Sequence, residues 1–230
     1  MRRLCRVEPH MDVAAMVRRL AAVGMVAALA LTASCASASD GSGAPGVKVN
    51  APSSTSGYHG TTLAKPYTLP AVTLTDERGE PFNLAKDTNK PLTLVFFGYT
   101  NCPDICPTTV AGLTQALRRV PPEVRQQVSF VFITTDPARD TSARLSEWLG
   151  RFDDSYTGLT GSLATIKKVA SQLGVGMTGK KRLPSGGYEV GHGSQVIAFG
   201  TNNKARLVWT GGTAVAAYEQ DITKLAKTRT

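Results

Sequence analysis

Two apolar runs, Leu92 to Phe97 and Val128 to Thr134, leave this chain few ways to fold. Each is continuous rather than alternating, the pattern of a strand covered on both faces. Pro91 and Gly98 bound the first run, and Thr108 to Val120, between the runs, carries helical spacing. Two buried strands joined through a helix predict a right-handed βαβ unit with parallel strands.

At the joint between the first strand and the helix stands Tyr99-Thr100-Asn101-Cys102-Pro103-Asp104-Ile105-Cys106-Pro107, with two thiols four residues apart, each followed by proline. A helix N-terminus offers unpaired N–H groups and the positive end of the dipole, which favour thiolate over thiol. Residues at i and i+4 share a helical face, so the sulfurs can form a disulfide or converge on a metal ion. Pro107 is tolerated in a first helical turn. A purely structural bridge is the weaker reading. Closing so short a loop is worth about 2 kcal/mol, against about 5 for a loop of about 100 residues.

Further along, Tyr67 to Thr75, the turn Asp76 to Gly79 and Pro81 to Leu84 predict a β-hairpin ahead of the first buried strand. The second buried strand ends in Thr135-Asp136-Pro137-Ala138-Arg139-Asp140-Thr141, and Ser142 to Phe152 predicts a helix capped by Asp140 or Thr141. Carboxyl ends of parallel strands line one edge, so Asp136 is expected on the edge that holds Cys102. There it serves either its own turn or, as a charge behind the thiols, the site. Leu163 to Leu173 predicts a helix opened by Ser162 and stopped by Gly174, and Gly176 to Gly187 reads as an exposed, mobile loop. Ser194 to Phe199 and Ala205 to Trp209 predict an antiparallel pair, with a closing helix from Ala214 to Lys227. The expected fold is α/β and thioredoxin-like: a central mixed sheet flanked by helices, with an extra N-terminal β-hairpin and an inserted helical segment. In that topology the loop before Ser194 faces the cysteine turn, which places His192, between Gly191 and Gly193, opposite the thiols.

The N-terminal part reads as a targeting segment. Leu20 to Leu31 is an apolar run directly after Arg18 and Arg19, too short to span a bilayer and suited to the core of a secretory signal. Leu31-Thr32-Ala33-Ser34-Cys35 resembles a bacterial lipobox, with Thr32 where an aliphatic residue is usual; Cys35 is then the lipidated residue. Cleavage after Ala36-Ser37-Ala38 is the competing reading. The stretch before Arg18 is long for a signal and acidic in places, so Met11 or Met16 is the expected start, and Cys5 carries no chemistry. The expected organisation is a signal peptide over 1–34, a lipid-anchored flexible linker over 35–62, rich in Ser, Gly, Ala and Pro, and one domain over 63–230. His59, near the end of that linker, reads as solvated. Of the formal net charge of +9, three units lie before residue 35. The remaining basicity reads first as a solvated surface, with an anionic membrane surface or an acidic partner as the alternatives, and no Lys/Arg cluster with interleaved aromatics indicates nucleic acid.

Three motifs in order, Gly98-Tyr99-Thr100-x-Cys102-Pro103-Asp104-x-Cys106-Pro107, Asp136-Pro137-x-Arg139-Asp140-Thr141 and His192 about 90 residues after the first cysteine, resemble the Sco/SenC family, copper-binding thioredoxin-fold assembly factors for cytochrome c oxidase. The resemblance covers roughly Pro66 to Lys227. It implies that Cys102, Cys106 and His192 are copper ligands and that the cysteines are also redox-active. Asn101, where many members have another residue, often His, and Gly193 are departures. Two soft thiolates and one imidazole suit Cu(I), and hold Cu(II) if an oxygen ligand completes the plane. A structural zinc site wants a fourth ligand, which no remaining cysteine supplies.

The implied function is an exported, membrane-tethered copper metallochaperone or thiol reductant for the Cu(A) site of cytochrome c oxidase subunit II, located at the extracytoplasmic face. Other copper chaperones or thiol reductants are implied as further partners. The alternative is a general extracytoplasmic thiol-disulfide oxidoreductase with incidental copper binding. A peroxidase of the peroxiredoxin type fits poorly, since Thr100-Asn101-Cys102 has the wrong spacing.

Overall fold

The computed structural model describes residues 57–228 except Asn89 and Ser185. The expected signal segment, Cys35 and most of the expected linker lie outside the described residues. In chain order the elements are β1 (Thr73–Thr75), β2 (Pro81–Asn83), β3 (Leu92–Gly98), α1 (Ile105–Arg119), α2 (Pro122–Arg125), β4 (Val128–Thr134), α3 (Ser142–Gly150), β5 (Thr157–Leu159), α4 (Leu163–Gln172), β6 (Met177–Arg182), β7 (Tyr188–His192), β8 (Val196–Phe199), β9 (Ala205–Trp209) and α5 (Val215–Lys227).

The two apolar runs are β3 and β4, paired in parallel at the middle of a five-stranded sheet of order β5-β4-β3-β8-β9. β5 is parallel to β4, whereas β8 and β9 run antiparallel, so the sheet is mixed. Successive side chains of a strand face opposite ways. Leu94 and Phe96 accordingly pack with α1, α3 and α5, while Val95 and Phe97 pack with α4 and the N-terminal strands. Covering on both faces is why these runs lack alternation.

Thr141 caps α3 by accepting a hydrogen bond from the Arg144 N–H, and Ser162 caps α4 by accepting from Thr165. Gly174 stops α4 in the left-handed region at φ +67°, as its position predicts.

The structure departs from expectation in four places. Helix α1 begins at Ile105, three residues earlier than predicted, which brings Cys106 inside it. A third parallel strand, β5, stands where none was predicted, because three residues carry too little pattern. Its Gly158 lets α3 approach, since a Cβ there would lie 2.7 Å from Leu149 Cδ1. Residues 176–187 are not a loop: β6 and β7 form an antiparallel hairpin. Its Lys180, Lys181 and Arg182 are exposed, so β6 has the composition of a loop, and its pairing with β7, which buries Val190, makes it a strand. His59 is not simply solvated either. Its backbone N–H donates to Asp221 at 3.0 Å, the Gly60 N–H donates to the same carboxylate at 2.9 Å, and Trp209 Nε1 donates to it at 2.8 Å.

The segment ahead of β3 also touches both sides of the sheet. Thr61 bridges to Val208 on β9, Thr68 bridges to Lys204, and Thr75 bridges to Thr160 at the end of β5.

Candidate metal centre

Strand β3 ends at Gly98, the chain turns, and α1 starts at Ile105. Asp104 occupies the position before the helix but makes no side-chain cap. The sulfur of Cys102 does this instead, accepting from the Cys106 N–H at 3.4 Å. Cys102 is 9% exposed, and Cys106 is fully buried. Gly98 is required by this packing: a Cβ on it would meet the Phe132 ring at 2.8 Å and Cys106 Sγ at 3.1 Å.

The hairpin delivers the third group. His192 ends β7, its ring edge-on to Tyr99 at 5.7 Å and to Phe96 at 6.4 Å between centroids. Its Nδ1 lies 2.9 Å from the Gly193 carbonyl oxygen, which only accepts, so Nδ1 donates. In the neutral ring Nε2 therefore keeps its lone pair, and it faces Cys106 Sγ at 3.4 Å. The two sulfurs and a ring nitrogen all lie within 4.8 Å of one another, and both thiols are free. The ring is in place beside the thiols, without the several-ångström displacement that a loop between two glycines would allow.

The two thiols differ in acidity. Hydrogen bonding from Cys106, against the cost of burial, and then the neighbouring His192 ring and backbone N–H groups hold the Cys102 thiol down to about 4. Cys106 moves the opposite way, raised by its bond to Cys102, by burial and by the nearby Cys102 and Asp140 charges. The pair thus holds one thiolate, on Cys102, and one proton, on Cys106. A lowered pKa means that the thiolate survives as the pH falls. Iodoacetamide at pH 6 should accordingly modify Cys102 and spare Cys106, with a midpoint far below the roughly 8.5 of a free cysteine. Equal labelling of both, read by peptide mass mapping, would contradict the assignment.

Asp136 lies on the expected edge, but its carboxylate does not bond the sulfurs. It accepts from Arg139 Nε and, at 3.0 Å, from the Tyr188 hydroxyl, with Lys180 Nζ at 3.5 Å. The Arg139 guanidinium stacks 3.7 Å from the Tyr188 ring centroid, so this group ties the hairpin to the end of β4. The carboxylate behind the cysteine turn is instead Asp140, fully buried. It accepts from the Thr100 N–H at 3.0 Å, the Thr100 hydroxyl at 2.7 Å and the Thr134 hydroxyl at 2.6 Å. Sequence offered Asp140 only as a helix cap, a role that falls to Thr141. Tyr99 gave no signal beyond its place in the cysteine motif, and Tyr188 gave none.

A sheet of this order, with a dithiol at the turn from its central strand into a helix and an imidazole brought up by the chain ahead of β8, defines a thioredoxin-like protein with a two-sulfur, one-nitrogen donor set. The chain belongs to the SCO1/SenC family, whose sequence pattern it matches over residues 61–227. It is 31% identical over 144 residues to a Stutzerimonas stutzeri protein named for copper binding, an alignment covering 63% of this chain and 70% of that one. It spans about half the length (49%) of the SCO2-like protein of Rickettsia conorii, at 40% identity over 102 residues, 44% of this chain. Among solved structures, Arabidopsis thaliana ScoI with copper bound superposes with a TM-score of 0.62 at 26% identity, covering 71% of this chain and 97% of that one. A SCO1/SenC family lipoprotein from Bacillus anthracis superposes at 0.60 with 25% identity, covering 71% of this chain and 99% of that one.

Proposed function

We propose that this protein is an exported, membrane-tethered copper metallochaperone that delivers copper to the Cu(A) site of cytochrome c oxidase subunit II, or reduces the cysteines of that subunit. The observation that carries the reading is the convergence of Cys102 Sγ, Cys106 Sγ and a His192 nitrogen within 4.8 Å, with the Nε2 lone pair turned inward. Copper is cargo here. The two sulfurs suit Cu(I), and the imidazole extends the set toward Cu(II). The family resemblance and the copper-bound relative support the metal. In a strain lacking the gene, oxidase activity should fall and return with added copper. Activity that added thiol reductant restores and copper does not would favour the thiol-disulfide oxidoreductase, the second reading, which rests on the depressed Cys102 thiol.

The anchor belongs to the same proposal. No helix among the described residues is long and apolar enough to cross a membrane. Lipidation at Cys35, supported by the lipobox-like sequence and by the lipoprotein among the relatives, supplies attachment at the extracytoplasmic face, and the basic domain adds a second term. Cys35→Ala should move the protein from the salt-washed membrane to the soluble fraction or block its processing. Unchanged membrane retention and processing in this variant would remove the anchor from the proposal.

A further inference from the structure

Beside the donor set lies a second surface with a distinct character. Between the end of β4, helix α4 and the β6–β7 hairpin runs a mostly apolar groove lined by Ala138, Leu163, Lys167, Met177, Lys180 and Val190. Leu163, at 39%, is the exposed large hydrophobic side chain among the described residues, and it sits at the groove with Lys167 one helical turn away. A lone exposed apolar side chain is ordinary, but an apolar groove with charged residues at its rim has the form of a contact surface.

Charge says what would cover it. Lys167 on α4 and Lys180 on β6 line the groove, and Lys168 and Arg182 neighbour them on the same two elements. The carboxylate at the groove, Asp136, is already engaged with Arg139, Tyr188 and Lys180, while Glu189 and Lys181 pair with each other at 3.3 Å on the opposite face of the hairpin. The surplus is positive and surrounds an apolar floor.

Position ties the groove to the donor set. Val190, which lines it, precedes His192 by two residues on β7, so their side chains leave the same face of the hairpin. A partner seated here would have its own receiving groups brought to the thiols and the imidazole.

We propose that this groove docks an acidic segment of the protein that receives copper from Cys102, Cys106 and His192. An aliphatic side chain of that segment enters beside Leu163 and Met177, and flanking carboxylates meet Lys167 and Lys180. The inference rests on the copper reading above.

The test uses the full chain and a fluorescein-labelled peptide with one leucine among glutamates, followed by anisotropy. Wild type should bind it, more weakly as salt rises from about 0.05 to about 0.5 M. Leu163→Ser with Lys167→Glu should weaken binding at least about tenfold, and Lys167→Gln alone should weaken it less. Neither residue touches the thiols, so copper titration of the variants should match wild type and report that they are folded. Copper transfer to the soluble domain of oxidase subunit II should slow in the same order. Equal affinity for a peptide with glutamine in place of glutamate, or unchanged binding in the double variant, would overturn the proposal. So would capture by anionic phosphatidylglycerol vesicles without peptide binding, which would give the surface to the membrane. Failure of wild type to bind copper would instead strike the metallochaperone reading, a result that the titration separates from the peptide measurement.

Discussion

His192→Ala should cost more than about a hundredfold in Cu(II) affinity while leaving Cys102–Cys106 thiol-disulfide exchange nearly intact. Loss of a group that merely orients a ligand costs about 10- to 100-fold, so loss of a ligand itself costs more. Cu(I) should weaken less, because two thiolates hold the softer ion by themselves. Exchange needs only the sulfurs, and the largest cause of the low Cys102 pKa is Cys106 rather than the imidazole. Cys102→Ser should abolish both functions. Chelator competition and exchange kinetics on the two variants read the difference in vitro. In cells His192→Ala should lower oxidase activity almost as far as Cys102→Ser. Full oxidase activity with His192→Ala, alongside loss with Cys102→Ser, would replace copper delivery by the oxidoreductase reading.

The second large effect is expected at Asp140, behind the cysteine turn and bonded to neither sulfur. Its carboxylate accepts three hydrogen bonds, from Thr100 and Thr134, in a fully buried place. Asp140→Ala leaves those donors without their partner. Bonds to a charged group are worth about 1.5–3 kcal/mol each and do not add fully, so a net loss of about 3–5 kcal/mol is expected. For a folded unit of this size that lowers Tm by about 10 °C. The same change removes a negative charge that raises the Cys106 thiol, so the Cys106 pKa should move down. Calorimetry checks the first effect and cysteine titration the second. A Tm within about 2 °C of wild type would show that Asp140 does not hold the turn.

What could be read without coordinates divides along physical lines. The strands β3 and β4 announce themselves because burial on both faces forces unbroken apolar runs. Helix caps were readable because Ser162 and Thr141 act within three residues of their own positions. The cysteine turn was readable as chemistry, and topology alone put His192 opposite it. What stayed hidden depends on partners distant in sequence. Asp140 gains its role from Thr100, 40 residues away, and Asp221 from the chain at His59, 162 residues away. The hairpin of β6 and β7 was missed because β6 owes its order to its partner strand rather than to its own apolar content. The start of α1 was misplaced because its cap is a cysteine sulfur, which no rule of capping residues anticipates.

The bridges made by the segment ahead of β3 bear on how the protein behaves when crowded. An unpaired edge strand is a template on which a second copy can add its own strand. Thr61 and Thr68 occupy backbone positions along β9, and Thr75 exchanges two hydrogen bonds with Thr160 beside β5, at 2.8 and 2.9 Å. One stretch of chain therefore blocks both ends of the central sheet. When copies of the protein meet at high concentration, the occupied edges leave little backbone on which to grow a fibril.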